Sequence, residues 1–140
     1  MAFVLDASIA LAWAFSDEDS SQALAAAERS FVDQVVVPHH WFLEVTSGLL
    51  KAERRRRIDL AGSAGFVERL LTLSLEAEMT ETRTMYETIL PLARAHRLST
   101  YDAVYLELAD RRGLPLATGD GPLADAALRQ GVALVGAENR

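Results

Sequence analysis

Short apolar runs alternate along this chain with longer stretches in which apolar residues recur every three or four positions. Phe3-Val4-Leu5, Val35-Val36-Val37, Leu114 to Thr118 and Val132 to Val135 are too short for helices and read as buried strands. Pro38 closes the second, and Leu73-Ser74-Leu75 is a further short candidate. Helical patterns fill the intervals. They cover Ile9 to Phe15, Trp41 to about Arg56, Asp59 to about Leu73 and Thr80 to about His96. Another opens on Asp17-Glu18-Asp19-Ser20, where acids suit a first turn, and continues through Ala23 to Ala27. Ser99 caps a helix ending near Gly113, and Gly121 to Arg129 forms the last. Strands alternating with helices imply an α/β domain with a mostly parallel sheet covered on both faces. With no repeat, linker or low-complexity segment, residues 1–140 read as one domain.

Composition narrows the setting. The chain has no cysteine, which excludes disulfides and thiolate metal sites and fits a reducing cytosol. The N-terminus lacks the basic start and long apolar core of a secretory signal, and Asp6 would interrupt one. No apolar stretch approaches the roughly 20 residues that span a bilayer, so a cytoplasmic protein without membrane contact is expected. A net charge of −6 argues against a passive nucleic-acid binder. A metal-dependent nuclease escapes that argument in part, because cations neutralise its acids in the working state.

The acids are where the chemistry concentrates. Asp6 ends Phe3-Val4-Leu5, and Glu44 sits within Trp41-Phe42-Leu43-Glu44-Val45. Asp102 lies in Tyr101-Asp102-Ala103-Val104-Tyr105-Leu106, and Asp120 follows Leu116-Ala117-Thr118-Gly119. In open parallel sheets ligands collect at the carboxyl ends of strands, where strand order reverses. Asp6 and Asp120 fall just beyond such ends, and Asp102 in the first turn of a helix. Glu44, in the first half of its helix, can reach the same edge. Each acid also has a plainer reading. Asp6, Asp120 and Asp102 suit helix N-caps or a capping box, and Glu44 lies about 60° off the apolar arc of its helix. Capping alone does not require the acids to gather. If they do, two carboxylates about 5 Å apart repel by about 3 kcal/mol at an effective dielectric of 20. A hard divalent cation relieves that repulsion and activates water for in-line attack on a phosphodiester.

These four segments, in this order and spacing, resemble the signature segments of PIN-domain ribonucleases, and most nearly the VapC-type toxins of VapBC toxin–antitoxin systems. The resemblance spans nearly the whole chain. It implies a three-layer α/β/α sandwich with a mostly parallel four- to five-stranded sheet. It also implies a Mg²⁺- or Mn²⁺-dependent endoribonuclease, inhibited by a cognate VapB-type antitoxin and expected to dimerise. On that basis Asp6, Glu44, Asp102 and Asp120 form the catalytic pocket. Asp6, Asp102 and Asp120 are the expected metal ligands, and Glu44 orients a water. Ser8 and Thr118 are expected as supporting hydroxyls, and Gly119 as a tight turn that delivers Asp120.

The remaining features are weaker. Arg54-Arg55-Arg56-Arg57 suits a solvated helix C-terminus, or a contact for RNA or for acidic antitoxin residues. His39 and His40 are adjacent, point apart, and read as loop or core residues rather than a metal pair. Trp13, Phe15, Trp41 and Phe42 read as core, or partly as a groove for a partner helix. Receiver-type and haloacid-dehalogenase-type chemistry is disfavoured: the sole lysine, Lys51, lies in a helix, and Ser8 stands where the latter needs a second Asp. No Gly-rich phosphate loop follows the first strand. A non-catalytic PIN module that binds RNA or a partner protein is the competing expectation.

Overall fold

The computed structural model describes residues 1–137. Its strands are β1 (Ala2–Leu5), β2 (Gln34–Pro38), β3 (Leu75–Glu78) and β4 (Leu116–Ala117), in the all-parallel order β3-β2-β1-β4. Phe3, Val4, Leu5, Val35, Val36, Val37, Leu116 and Ala117 are all fully buried. This is why β1, β4 and the centre of β2 are apolar runs without polar alternation, whereas the edge strand β3, Leu75-Glu76-Ala77-Glu78, alternates. Between strands run α1 (Ala7–Ala12), α2 (Ser21–Ser30), α3 (Trp41–Arg54) and α4 (Leu60–Leu70). Then come α5 (Thr82–Thr84), α6 (Leu90–His96), α7 (Thr100–Arg112) and, after β4, α8 (Gly121–Arg129). The chain steps outward from β1 to β2 to β3, then returns to the opposite side of β1 as β4. Right-handed crossovers therefore put α1–α4 on one face and α5–α7 on the other, giving the three-layer sandwich.

The point of reversal lies between β1 and β4, next to the residues that follow each strand. Helix α7 is the central helix of its layer. Ala103 through Ala109 are all buried, so the helix is apolar nearly all round, with only Glu107 polar among them apart from the Tyr105 hydroxyl. The Ser99 hydroxyl caps it by accepting from the Asp102 amide, and Gly113 ends it at φ 64°.

Four expectations need correction. Asp17-Glu18-Asp19 does not start a helix: Ser16–Glu18 forms an isolated 3₁₀ turn, and Ser20 caps α2 by accepting from the Ala23 amide. A hydroxyl three residues before a free amide outcompetes acids placed further upstream. Val132 to Val135 forms no strand but a single bridge, Leu116 to Leu134. Gly131 and Gly136, both in the left-handed region at φ 77° and 87°, turn the chain before and after it. β3 begins where Leu73-Ser74-Leu75 was expected to end. Finally, Thr82 to His96 is interrupted by a π turn over Met85–Ile89, with the Leu90 amide reaching back to the Met85 carbonyl. Pro91, which has no amide hydrogen to donate, stands beside that irregularity.

Candidate active site

All four acids sit at helix N-termini. Asp6 is the N-cap of α1 and Asp120 the N-cap of α8, while Glu44 and Asp102 lie in the first turns of α3 and α7. The capping reading holds for Asp6 and Asp120, whereas at α7 the Ser99 hydroxyl is the cap; all four acids also gather. Asp120 accepts from the Leu123 amide at 2.9 Å, and Asp6 more weakly from the Ser8 amide at 3.5 Å. The fold points these helix starts at one place, so a single cavity of about 730 Å³ is lined by Asp6, Ser8, Glu44, Asp102 and Asp120. His40, Ser47, Lys51 and Tyr101 line it as well.

Asp6 is the best-secured of the four. Its backbone amide donates to the Ala117 carbonyl, extending the β1–β4 ladder by one bond. Its Oδ2 accepts from the Ser8 hydroxyl at 2.8 Å and from the Thr118 hydroxyl at 2.6 Å. Each hydroxyl in turn accepts a loop amide: Gly119 donates to Ser8 at 3.1 Å and Asp120 to Thr118 at 3.0 Å. Two relays thus tie the 118–120 loop to one carboxylate oxygen and leave Oδ1 with only the long Ser8 contact. Burial raises the Asp6 carboxyl above its ordinary pKa. The Thr118 and Ser8 bonds pull it back, and the charge of Asp120 adds to the rise. Gly119 is not the tight turn expected of it. Its φ is not positive, and a Cβ there would meet only the Ser8 hydroxyl at 3.6 Å and an Ile9 methyl at 3.7 Å.

Asp102 is pushed up to about 6 by burial, then by the charges of Asp120, Asp6 and Glu44. Glu44 is also raised, by burial and by the Asp6 charge, against the opposing hydrogen bond from Tyr105. The Tyr105 hydroxyl donates to Glu44 Oε1 at 2.6 Å and accepts from the Ala7 amide at 3.4 Å. It therefore joins the Glu44 carboxylate to the start of α1, beside Asp6. His40 Nε2 lies 3.3 Å from the same Oε1 but makes no hydrogen bond there. Burial holds the imidazole below its usual pKa, so the contact is not an ion pair.

Tyr105 and His40 belong to this site although the acid motifs do not announce them. Two spacings could have done so. Tyr105 lies one helical turn after Asp102, and His40 one turn before Glu44. Ser8 and Thr118 are where the motif reading expects them. The Arg run is not. Arg57 pairs with Asp17 and Glu18 and covers the Phe15 ring at 4.1 Å. Arg56 and Arg57 line a separate cavity of about 470 Å³ that shares no residue with the acidic one. Arg54 and Arg55 are exposed. Of the four aromatics expected in the core, Trp41 is buried, Trp13 and Phe15 are half-buried, and Phe42 is exposed.

Among the described residues, no group of three or more acid or histidine side chains is drawn together as a ready-made metal cage. The donor set still fits a hard divalent cation. Four carboxylates share one cavity, three with pKa values raised partly by one another's charge, and none pairs with a Lys or Arg among the described residues. An ion such as Mg²⁺ needs only one or two of them, with waters completing its shell.

Comparison with known proteins shows the family and the fold. Residues 3–128 match the PIN domain model, and the chain belongs to the PIN domain family. That fold is generally a nuclease fold, and its members are typically metal-dependent. Six chains of solved structures match, among them PAE2754 from Pyrobaculum aerophilum. That protein is 24% identical, with a TM-score of 0.64 over 90% of this chain and 84% of its own, a likeness of fold alone. No curated protein matches. No helix among the described residues is long and apolar enough to cross a membrane.

Proposed function

We propose that this PIN domain is a Mg²⁺- or Mn²⁺-dependent endoribonuclease, acting as the VapC-type toxin of a type II toxin–antitoxin pair. The observation that carries the enzymatic part is the unpaired acid cluster: four carboxylates from four helix starts line one cavity without a basic partner. Asp6, Asp102 and Asp120 would hold the ion. The ion supplies positive charge against the phosphodiester and acidifies water at neutral pH. Asp6 is kept as an acceptor by Ser8 and Thr118, so Oδ1 stays available. Glu44, fixed by the Tyr105 hydroxyl, orients the attacking water and takes its proton.

The VapB-type antitoxin would seat in an apolar cavity of about 210 Å³ lined by Trp13, Phe31, Phe66 and Leu70, with Phe31 87% exposed. An apolar partner segment suits such a groove. Exposed Leu50, Leu60 and Leu71 on and beside α3 and α4 support homodimerisation through the middle helices.

Purified protein incubated with total RNA is expected to give discrete fragments with Mg²⁺ or Mn²⁺ and none with EDTA. Asp102→Asn is expected to lower the rate by about 10³-fold, in line with loss of a ligand to the ion that would stabilise transition-state charge. Equal cleavage by the variant assigns the activity to a contaminant. No cleavage together with no metal binding returns the chain to a non-catalytic binding module.

A further inference from the structure

Helix α3 serves as a ruler through the acidic cavity. His40, its N-cap, packs its ring edge-on to Tyr101 at 5.7 Å. Glu44, Ser47, Gly48 and Lys51 then line the cavity in steps of three or four residues, one face of the helix. From His40 to Lys51 is eleven residues, roughly 16 Å of helix, or the length of a few nucleotides. The acids line the same cavity as both ends. Gly48 keeps the floor low. A Cβ there would come within 2.4 Å of a Leu11 methyl, so the glycine lets α1 and α3 close beneath the cavity.

The two ends differ in chemistry. Tyr101 is 62% exposed and lines both the acidic cavity and an adjoining one of about 350 Å³ with His39, Thr80, Met85 and Thr100. Its ring stands between two hollows. Lys51, the chain's only lysine, is exposed, and its ammonium makes no ion pair or hydrogen bond among the described residues. It is the basic residue that reaches the acidic cavity, whereas Arg57 is taken up by Asp17, Glu18 and Phe15.

Resting on the nuclease reading above, we propose that the cavity is the middle of a track for single-stranded RNA, with a base stacked on Tyr101 and a backbone phosphate held by Lys51. An unpaired strand is required, because only splayed bases can offer a face to an aromatic ring at the wall of a groove. The two anchors place the intervening phosphodiester over Asp6, Glu44, Asp102 and Asp120.

The test is fluorescence anisotropy with a labelled twelve-nucleotide single-stranded RNA library of randomised sequence. It uses the Asp102→Asn protein in magnesium buffer over a series of salt concentrations. Adding Lys51→Gln is expected to weaken binding several-fold and to reduce the slope of log affinity against log salt by about 0.7, one phosphate contact on a single strand. Adding Tyr101→Ala is expected to weaken binding roughly tenfold with the slope unchanged. Arg94→Gln, at an exposed position on α6, serves as the control and changes neither. The track is overturned if the library does not bind, if Lys51→Gln leaves the slope intact, or if Tyr101→Ala binds as tightly as its parent. Binding that depends on both anchors without cleavage by the wild type would keep the track and remove the nuclease. Cleavage with anchor-independent binding would do the reverse.

Discussion

The molecule carries two clusters of acids, and they are built on opposite terms. Near the sheet edge, Glu76 and Glu78 of β3 and Glu107 of α7 are matched by Arg111 and Arg112. Arg111 bonds Glu107 at 2.7 Å and also contacts Glu78, and Arg112 contacts Glu76 and Glu78. Both guanidiniums are held above their ordinary pKa, chiefly by hydrogen bonds to those carboxylates. At the switch point, Asp6, Glu44 and Asp102 are raised instead, by burial and by neighbouring carboxylates, and among the described residues no guanidinium or ammonium pairs with them, Lys51 lining the cavity without an ion pair. The same chain that can supply an arginine to a structural acid cluster leaves this one unanswered. Density of acid is therefore not the mark of the site; missing counter-charge is.

That contrast can be sharpened by experiment. After Asp102→Asn, the largest effect is expected from Tyr105→Phe, which removes the hydroxyl that donates to Glu44 while leaving the ring in the core. Loss of such a supporting hydrogen bond is expected to lower kcat by roughly 10–100-fold with KM little changed. Unaltered kcat in steady-state cleavage would show that Glu44 needs no positioning. Next comes the paired cluster. Arg111→Ala strips Glu107, only 8% exposed, of its partner and is expected to cost about 2 kcal/mol in urea unfolding, discounted for the exposed half of the pair. The cleavage rate should hold; a parallel fall would mean the two clusters are coupled.

The smallest effect concerns the unpaired cluster without metal. The folded-state pKa of Asp102 is raised from 3.8 to about 6, so folding favours its protonated form. Its stabilising contribution is full below the unfolded value and is lost as pH rises through about 6. In EDTA, Asp102→Asn should melt higher than the wild type at pH 8, by on the order of 1 kcal/mol after allowance for solvent screening, and should show no gain at pH 4. Mg²⁺ at pH 8 should raise the wild type more than the variant. Identical melting curves at both pH values would remove the repulsion on which the contrast rests.

Much of this was readable from residue order alone, and the limits follow from physics. The buried strands and α8 are local statements: apolar runs and a capping Asp before Gly121-Pro122 specify them without distant partners. The acids were legible because a carboxylate next to Leu5 or Val45 is costly unless employed. The Val132–Val135 bridge was not, since pairing depends on how far β4 extends, and β4 is two residues long. The π turn depends on how the helix before Pro91 packs. Tyr105 and His40 escaped for a different reason. Each looks like an ordinary core or loop residue until the fold brings α7 and α3 together, at a separation of 61 positions for the Tyr105–Glu44 bond. The pairing of Arg57 was likewise set by a distant element, the Asp17-Glu18 turn.

The pairing of β1 with β4 has a consequence in time. The bond from Thr118 to Asp6 joins residues 112 positions apart, the first strand to the last. At a synthesis rate of 5–20 residues per second, roughly 6 to 20 seconds separate the emergence of its two ends. Until β4 docks, Asp6 lacks the Thr118 hydroxyl and the cavity lacks Asp120. A ribosome-bound chain can carry three of the four acids and still hold no finished site, so the reactive arrangement is among the last things this protein makes.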